Sequence, residues 1–171
     1  MGDLIALLGK HQLHQSLVLI GCSMGGSLAM DFALEHPSPV SPLVLVGSGP
    51  SGLSLDVPSH PKQEDAERAY NDRDLDLVAE LEAQIWFDGM DKQLPDTDTP
   101  AVERLGELDI PVLVVVGEHD KPFSQAAADY MVDNIPSIRK VITEDAAHLA
   151  NLDHPDRLQK AVRSFLDEIS C

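Results

Sequence analysis

Basic residues are scarce in this chain of 171 residues: 12 Lys and Arg stand against 29 Asp and Glu, for a formal net charge of −17. Nucleic-acid phosphates and anionic membrane surfaces would repel it, which argues against both as partners. Cysteine is scarcer still, with only Cys22 and Cys171. Two thiols so placed make no disulfide scaffold, and a reducing, cytoplasmic compartment fits them. No apolar run is long enough to span a bilayer. The segment Met1 to Leu8 is apolar but short, carries Asp3, and has neither a basic leader nor a small-residue cleavage site, so it does not read as a signal peptide. Ala6 stands where a myristoylation start prefers Ser or Thr. No grouping of Cys, His or carboxylates has metal-ligand spacing, and Gly21 to Gly26 lacks the lysine of a phosphate loop. No metal and no cofactor are therefore expected.

What is present is an ordinary apolar content of 43%, in a length that suits one domain with a real core. The acid concentrates between Asp56 and Asp109, which reads as a solvated helical face. Periodicity predicts a helix over Asp3 to Leu13, a strand over Ser16 to Cys22, a helix over Ser27 to Glu35 and a strand from Pro42 to Gly47. After a loop from Ser48 to Pro61, Lys62 to Trp86 reads as helix broken near Asn71 and Asp72, followed by a loop to Pro100. The pattern then resumes with a strand over Ile110 to Gly117, a helix over Ser124 to Asn134, a strand over Ile138 to Thr143 and a helix over Pro155 to Ile169. Strands that are apolar throughout and separated by helices indicate an α/β fold: a parallel sheet of about four strands covered on both faces. Residues 51–105 read as a helical lid inserted into a core made by 1–50 and 106–171.

The run Leu17-Val18-Leu19-Ile20-Gly21-Cys22-Ser23-Met24-Gly25-Gly26 is a strand ending in Gly-x-Ser-x-Gly and passing straight into a helix. A serine there sits on a very tight turn, which Gly21 and Gly25 are expected to permit. Its hydroxyl is held out beside a helix start, where negative charge is favoured. Serine needs a base within hydrogen-bond reach and a third group to orient that base. In a parallel sheet both should follow the carboxyl ends of other strands. His148 follows the fourth strand. Asp120 follows the third, with Glu118 in reserve. Asp120 could instead serve only the Asp-Lys-Pro turn, and His148 could be a helix-start residue. His154 reads as structural and His119 as a bystander, while His11, His14, His36 and His60 have no evident partner.

With those residues in place, the chain resembles the α/β-hydrolase superfamily, in its small esterase and 3-oxoadipate enol-lactonase-like branch. The matching stretches are Gly21 to Gly26, Leu43 to Gly49, Pro111 to Asp120 and Ala147 to Pro155, and the chain order Ser, Asp, His is the family's. The resemblance implies Ser23 as nucleophile, His148 as base and Asp120 as its orienting acid. It implies the Met24 backbone N–H as an oxyanion donor, and Trp86 and Phe87 beside the substrate pocket. The implied activity is hydrolysis of a small carboxylic ester or lactone through an acyl-enzyme. Family sheets begin with four further strands, a helix and a His-Gly loop carrying a second oxyanion donor, and the chain has no counterpart of these. Loss of one donor costs roughly 10²- to 10³-fold in turnover. The strand Leu17 to Ile20 is then expected to be an exposed apolar edge open to self-association. Two alternatives follow: a catalytically impaired, truncated remnant acting as an interaction module, and a cofactor-free perhydrolase or haloperoxidase.

Overall fold

The computed structural model describes residues 2–13, 17–57, 62–87 and 99–169. The strands β1 (Leu17–Cys22), β2 (Val40–Val46), β3 (Val112–Gly117) and β4 (Ile138–Thr143) form one sheet in chain order, parallel throughout. Parallel neighbours need long returns. Helix α2 (Met24–Glu35) makes the first and α5 (Pro122–Asn134) the last. Between β2 and β3 run α3 (Gln63–Asn71) and α4 (Leu75–Phe87), which pack on each other. The turn between them holds Arg73 at φ 59°, and the Asp74 carboxylate accepts the Leu77 N–H at 3.1 Å to start α4. The remaining helices are α1 (Gly2–Lys10), α6 (Ala150–Asp153) and α7 (Pro155–Ile169).

Leu43 to Val46 of β2 and Val112 to Val116 of β3 are apolar and buried because both of their faces are covered, whereas the outer strands β1 and β4 are only partly buried and β4 carries Arg139 and Lys140. Leu43, Leu45, Val112, Val114 and Val116 pack against Met30 and Phe32 of α2 and Ala128 and Met131 of α5. Val44, Val46, Leu113 and Val115 point the other way, onto Phe165 of α7, with Leu158, Val162 and Leu166 alongside. Those four α7 residues recur at helical spacing on an otherwise polar helix, the signature of a surface helix laid on a core. Residues 99–108 return to the first core, where Ala101, Leu105 and Leu108 are buried.

Among the described residues β1 pairs on one side only, and it is the sheet's edge. Leu19 reaches the first core, but Val18 and Ile20 are 43% and 58% exposed. Ile20 stands opposite Val44 in register, on the α7 side, and α7 covers β3 and β4 rather than β1. No described helix is long and apolar enough to cross a membrane.

The element boundaries differ from the sequence pattern in instructive places. Strand β2 begins at Val40, ahead of Pro42: Leu17 opposes Val40 while Leu19 opposes Leu43, so β2 carries an extra residue. Proline lacks the N–H a ladder needs and is tolerated at such a bulge. Helix α5 begins at Pro122 rather than Ser124, with the proline in the first turn, where its missing donor costs nothing. Helix α2 begins at Met24 rather than Ser27, directly behind the turn.

Candidate active site

Ser23 occupies the junction of β1 and α2 with φ 52° and ψ −123°, a conformation L-residues avoid. The surroundings hold it there. Its N–H donates to the Val46 carbonyl at 2.8 Å, and its carbonyl accepts the Ser48 hydroxyl at 2.8 Å. A Cβ on Gly21 would run into the backbone of Gly25 and Gly26, so Gly21 is required as expected. Gly25 is not: a Cβ there meets nothing within 4 Å. The second crowded position is Gly26, where a Cβ would collide with the Ser48 side chain. The steric demand therefore falls on position 21, where the first turn of α2 folds back on the end of β1, and on position 26, where α2 presses against Ser48.

Asp120 and His148 follow β3 and β4 and meet Ser23 along one rim of the sheet. His148 Nε2 lies 3.0 Å from Ser23 Oγ, and His148 Nδ1 lies 3.0 Å from Asp120 Oδ1. Both residues are buried, at 4% and 7% exposure. Asp120 Oδ1 also accepts the Lys121 N–H at 2.8 Å, while Asp120 Oδ2 is buried without a hydrogen-bond partner. The histidine loop is fixed from behind: Asp145 takes φ 57°, the His119 N–H donates to the Ala146 carbonyl at 2.8 Å, and the Ala147 N–H donates to Asp153 at 2.9 Å. Gly47, at φ 55°, passes beneath the pair, where a Cβ would lie 3.2 Å from His148 Nδ1 and 3.3 Å from Asp120 Oδ2. With the proton on Nδ1 donated to Asp120, Nε2 is free to accept the serine proton, which is the arrangement a hydroxyl nucleophile needs.

The sequence profile of the α/β hydrolase family matches residues 2–161. The chain belongs to the α/β hydrolase family. It is 27% identical over 191 residues to the 2-hydroxy-6-oxononadienedioate/2-hydroxy-6-oxononatrienedioate hydrolase 1 of Dechloromonas aromatica, covering 95% of this chain and 65% of that protein. It is 28% identical over 185 residues to the carboxylesterase YbfK of Bacillus subtilis, covering 97% of this chain and 61% of that one. The fold is also that of Est816, a solved N-acyl homoserine lactone degrading enzyme, with a TM-score of 0.67 at 24% identity over 96% of this chain and 72% of Est816. The chain thus spans less than two thirds of the length of the two relatives named first.

Other residues of this α/β hydrolase take clear positions. Met24 opens α2, so its N–H has no carbonyl one turn earlier in the helix. Trp86 and Phe87 close α4, but their side chains, like His14 and His60, lie outside the described residues. Glu118 does not approach His148; its carboxylate accepts the Asp145 N–H at 3.0 Å. His154 Nε2 lies 3.3 Å from the Asp145 carbonyl. Ligand atoms of Glu118, His119 and Asp145 lie within 4.8 Å of one another, all exposed. This grouping joins two loops and so has no signature in the spacing. Cys22, beside the nucleophile position, has its Sγ 3.5 Å from the Asn151 side-chain oxygen. Burial, and then the nearby Asp120 charge, push its thiol above the ordinary cysteine range, which keeps it protonated and inert. Sequence reasoning missed Ser48 and Gly47 as supports of the site. Both fall in the matching stretch Leu43 to Gly49, but apart from that their signal is their place directly after β2, at the rim where the other groups meet.

Proposed function

We propose that this α/β hydrolase is a serine hydrolase acting on a small carboxylic ester or lactone. The observation that carries the reading is the unbroken contact from Ser23 Oγ to His148 Nε2 and from His148 Nδ1 to Asp120, at 3.0 Å each. His148 takes the Ser23 proton as Oγ attacks the substrate carbonyl. The Met24 N–H at the helix start faces the developing oxyanion. His148 returns the proton to the leaving oxygen, and the acyl group stays on Ser23. Water then gives a proton to His148 and its oxygen to the acyl carbon, releasing the acid and restoring the serine. Asp120 keeps the imidazole oriented and stabilises the imidazolium formed in each step. Trp86 and Phe87 are the proposed substrate-binding residues, as the family resemblance implies.

The similarity to a protein named carboxylesterase supports an ester substrate. The relative named for a 2-hydroxy-6-oxo dienedioate supports a second reading, a dicarboxylate. The net charge of −17 favours the first, because it repels a dianion. The test is hydrolysis of p-nitrophenyl acetate by the parent chain, Ser23→Ala and His148→Gln. The parent is expected to turn over and both variants to fall by at least about 10³-fold. Equal rates in all three would refute the assignment, and faster turnover of a dienedioate than of the neutral ester would favour the second reading.

A further inference from the structure

Ser27 and Asp31 are four residues apart on one face of α2, and Ser23 stands four residues before Ser27, just ahead of the helix. Each is tied to the segment after β2. The Ser48 hydroxyl donates to the Ser23 carbonyl at 2.8 Å, the Ser27 hydroxyl donates to the Gly49 carbonyl, and the Ser51 hydroxyl donates to Asp31 Oδ1 at 2.6 Å. Ser27 and Asp31 are buried on a helix that also buries Met30, Phe32, Ala33 and Leu34, and Ser48 and Ser51 after β2 are buried against it. Burying a carboxylate is unfavourable unless it is compensated by hydrogen bonds or a paired charge. Here the hydrogen bonds hold two chain segments at once. Ser51 Oγ also accepts the Ala101 N–H at 2.8 Å, so one chain of hydrogen bonds runs from Ala101 through Ser51 to Asp31, joining residues 50 positions apart.

Ser51 and Ala101 are where the chain leaves the core after β2 and where it comes back before β3. The same crossing carries a second hydrogen bond, from the Val102 N–H to the Ser51 carbonyl at 3.1 Å. Next to it Gly52, at φ 76°, lies so close that a Cβ would sit 2.5 Å from Pro100 Cβ. Arg104 donates to the Leu34 carbonyl at 3.1 Å, a further tie of the returning segment to α2. We propose that Asp31 and Ser51 are positioning residues: a buried clip that fixes both ends of the 52–100 excursion on the helix whose first turn carries Ser23. The clip sets where the α3–α4 segment stands relative to the serine, and so controls substrate affinity more than the chemical step. That consequence rests on the reading of Ser23 as the nucleophile; the clip itself does not.

Hydrogen exchange and ester kinetics on Asp31→Ala, Ser51→Ala and Asp31→Asn in the full chain test it. Ser51→Ala and Asp31→Ala are expected to speed exchange of the Ala101 amide by about tenfold or more, the effect of losing a buried partner, while the Val114 amide in β3 is unchanged. Asp31→Asn keeps an oxygen acceptor for Ser51 and is expected to retain parental exchange at Ala101. For p-nitrophenyl acetate, the two disruptive variants should raise KM more than they lower kcat, and Asp31→Asn should rescue KM. Unchanged Ala101 exchange in Ser51→Ala, or an equal acceleration at Val114, would overturn the clip. Parental KM in both disruptive variants would overturn its bearing on substrate. A parent chain that hydrolyses no ester would refute the nucleophile reading instead, and the exchange data would still decide the clip.

Discussion

Asp120 meets His148 through one carboxylate oxygen, and its other oxygen is buried without a donor. Asp120→Asn keeps the shape but can present an N–H where the imidazole Nδ1–H needs an acceptor. We expect a folded protein with turnover reduced on the order of 10⁴-fold, read as kcat on p-nitrophenyl acetate; a kcat within twofold would contradict the orienting role. Asp31 gives a pH prediction. Burial raises its carboxyl above the ordinary 3.8, partly offset by the Ser51 hydrogen bond, with Glu35 raising it further and Arg104 lowering it. The folded state therefore binds this proton more readily than the unfolded state. Its contribution to stability is full below the unfolded value and is lost as pH rises through the folded value. Asp31→Asn removes that dependence, so the difference in urea midpoint between variant and parent should grow in the variant's favour from acid to neutral pH. A constant difference would contradict the assignment. That Ser23, Asp120 and His148 would meet was legible in the sequence because each lies within a few residues of the carboxyl end of a strand. Asp31 and Ser51 were not, because a polar residue in a helix or a Gly-Pro-Ser loop reads locally as solvated.

The strand-to-helix turn shows the limit of motif reading at the scale of the element. Gly-x-Ser-x-Gly suggests two equivalent glycines, yet the crowding falls on Gly21 and Gly26, while Gly25 faces open space. Gly25→Ala should leave stability within about 1 kcal/mol of the parent. Gly21→Ala should cost about 3 kcal/mol or more, because backbone would have to move. Thermal unfolding of the two variants checks this, and equal losses would contradict the geometry. Strands β2 and β3 were legible because apolar positions on both faces leave no polar alternation, whereas β4 keeps Arg139 and Lys140 in its run. Helix α6 was not, since Ala150–Asp153 is a single turn too short for periodicity. Nor was the start of β2, where the bulge that admits Pro42 hides two strand residues.

At the scale of the molecule, the parallel α/β architecture followed from the alternation of strands and helices, but register and strand order did not. The burial of Ala101, Leu105 and Leu108 also escaped the pattern, because short 3₁₀ turns at Ala101–Glu103 and Leu105–Glu107 carry no helical period. The open side of β1 has a physical consequence. Among the described residues the outer side of β1 is unpaired beside exposed Val18 and Ile20, and we propose that this edge pairs with a second copy of the chain. Light scattering across a concentration series should show association of the parent chain, and the Val18→Lys, Ile20→Lys double variant should remain monomeric; identical behaviour would remove the edge as the cause.

The central claim is that Ser23 is a live nucleophile served by His148. Fluorophosphonate treatment followed by peptide mapping measures it most directly. One adduct is expected, on Ser23, forming rapidly in the parent and nearly abolished in His148→Gln. A folded parent chain that gains no adduct, or gains it on another serine, would contradict it.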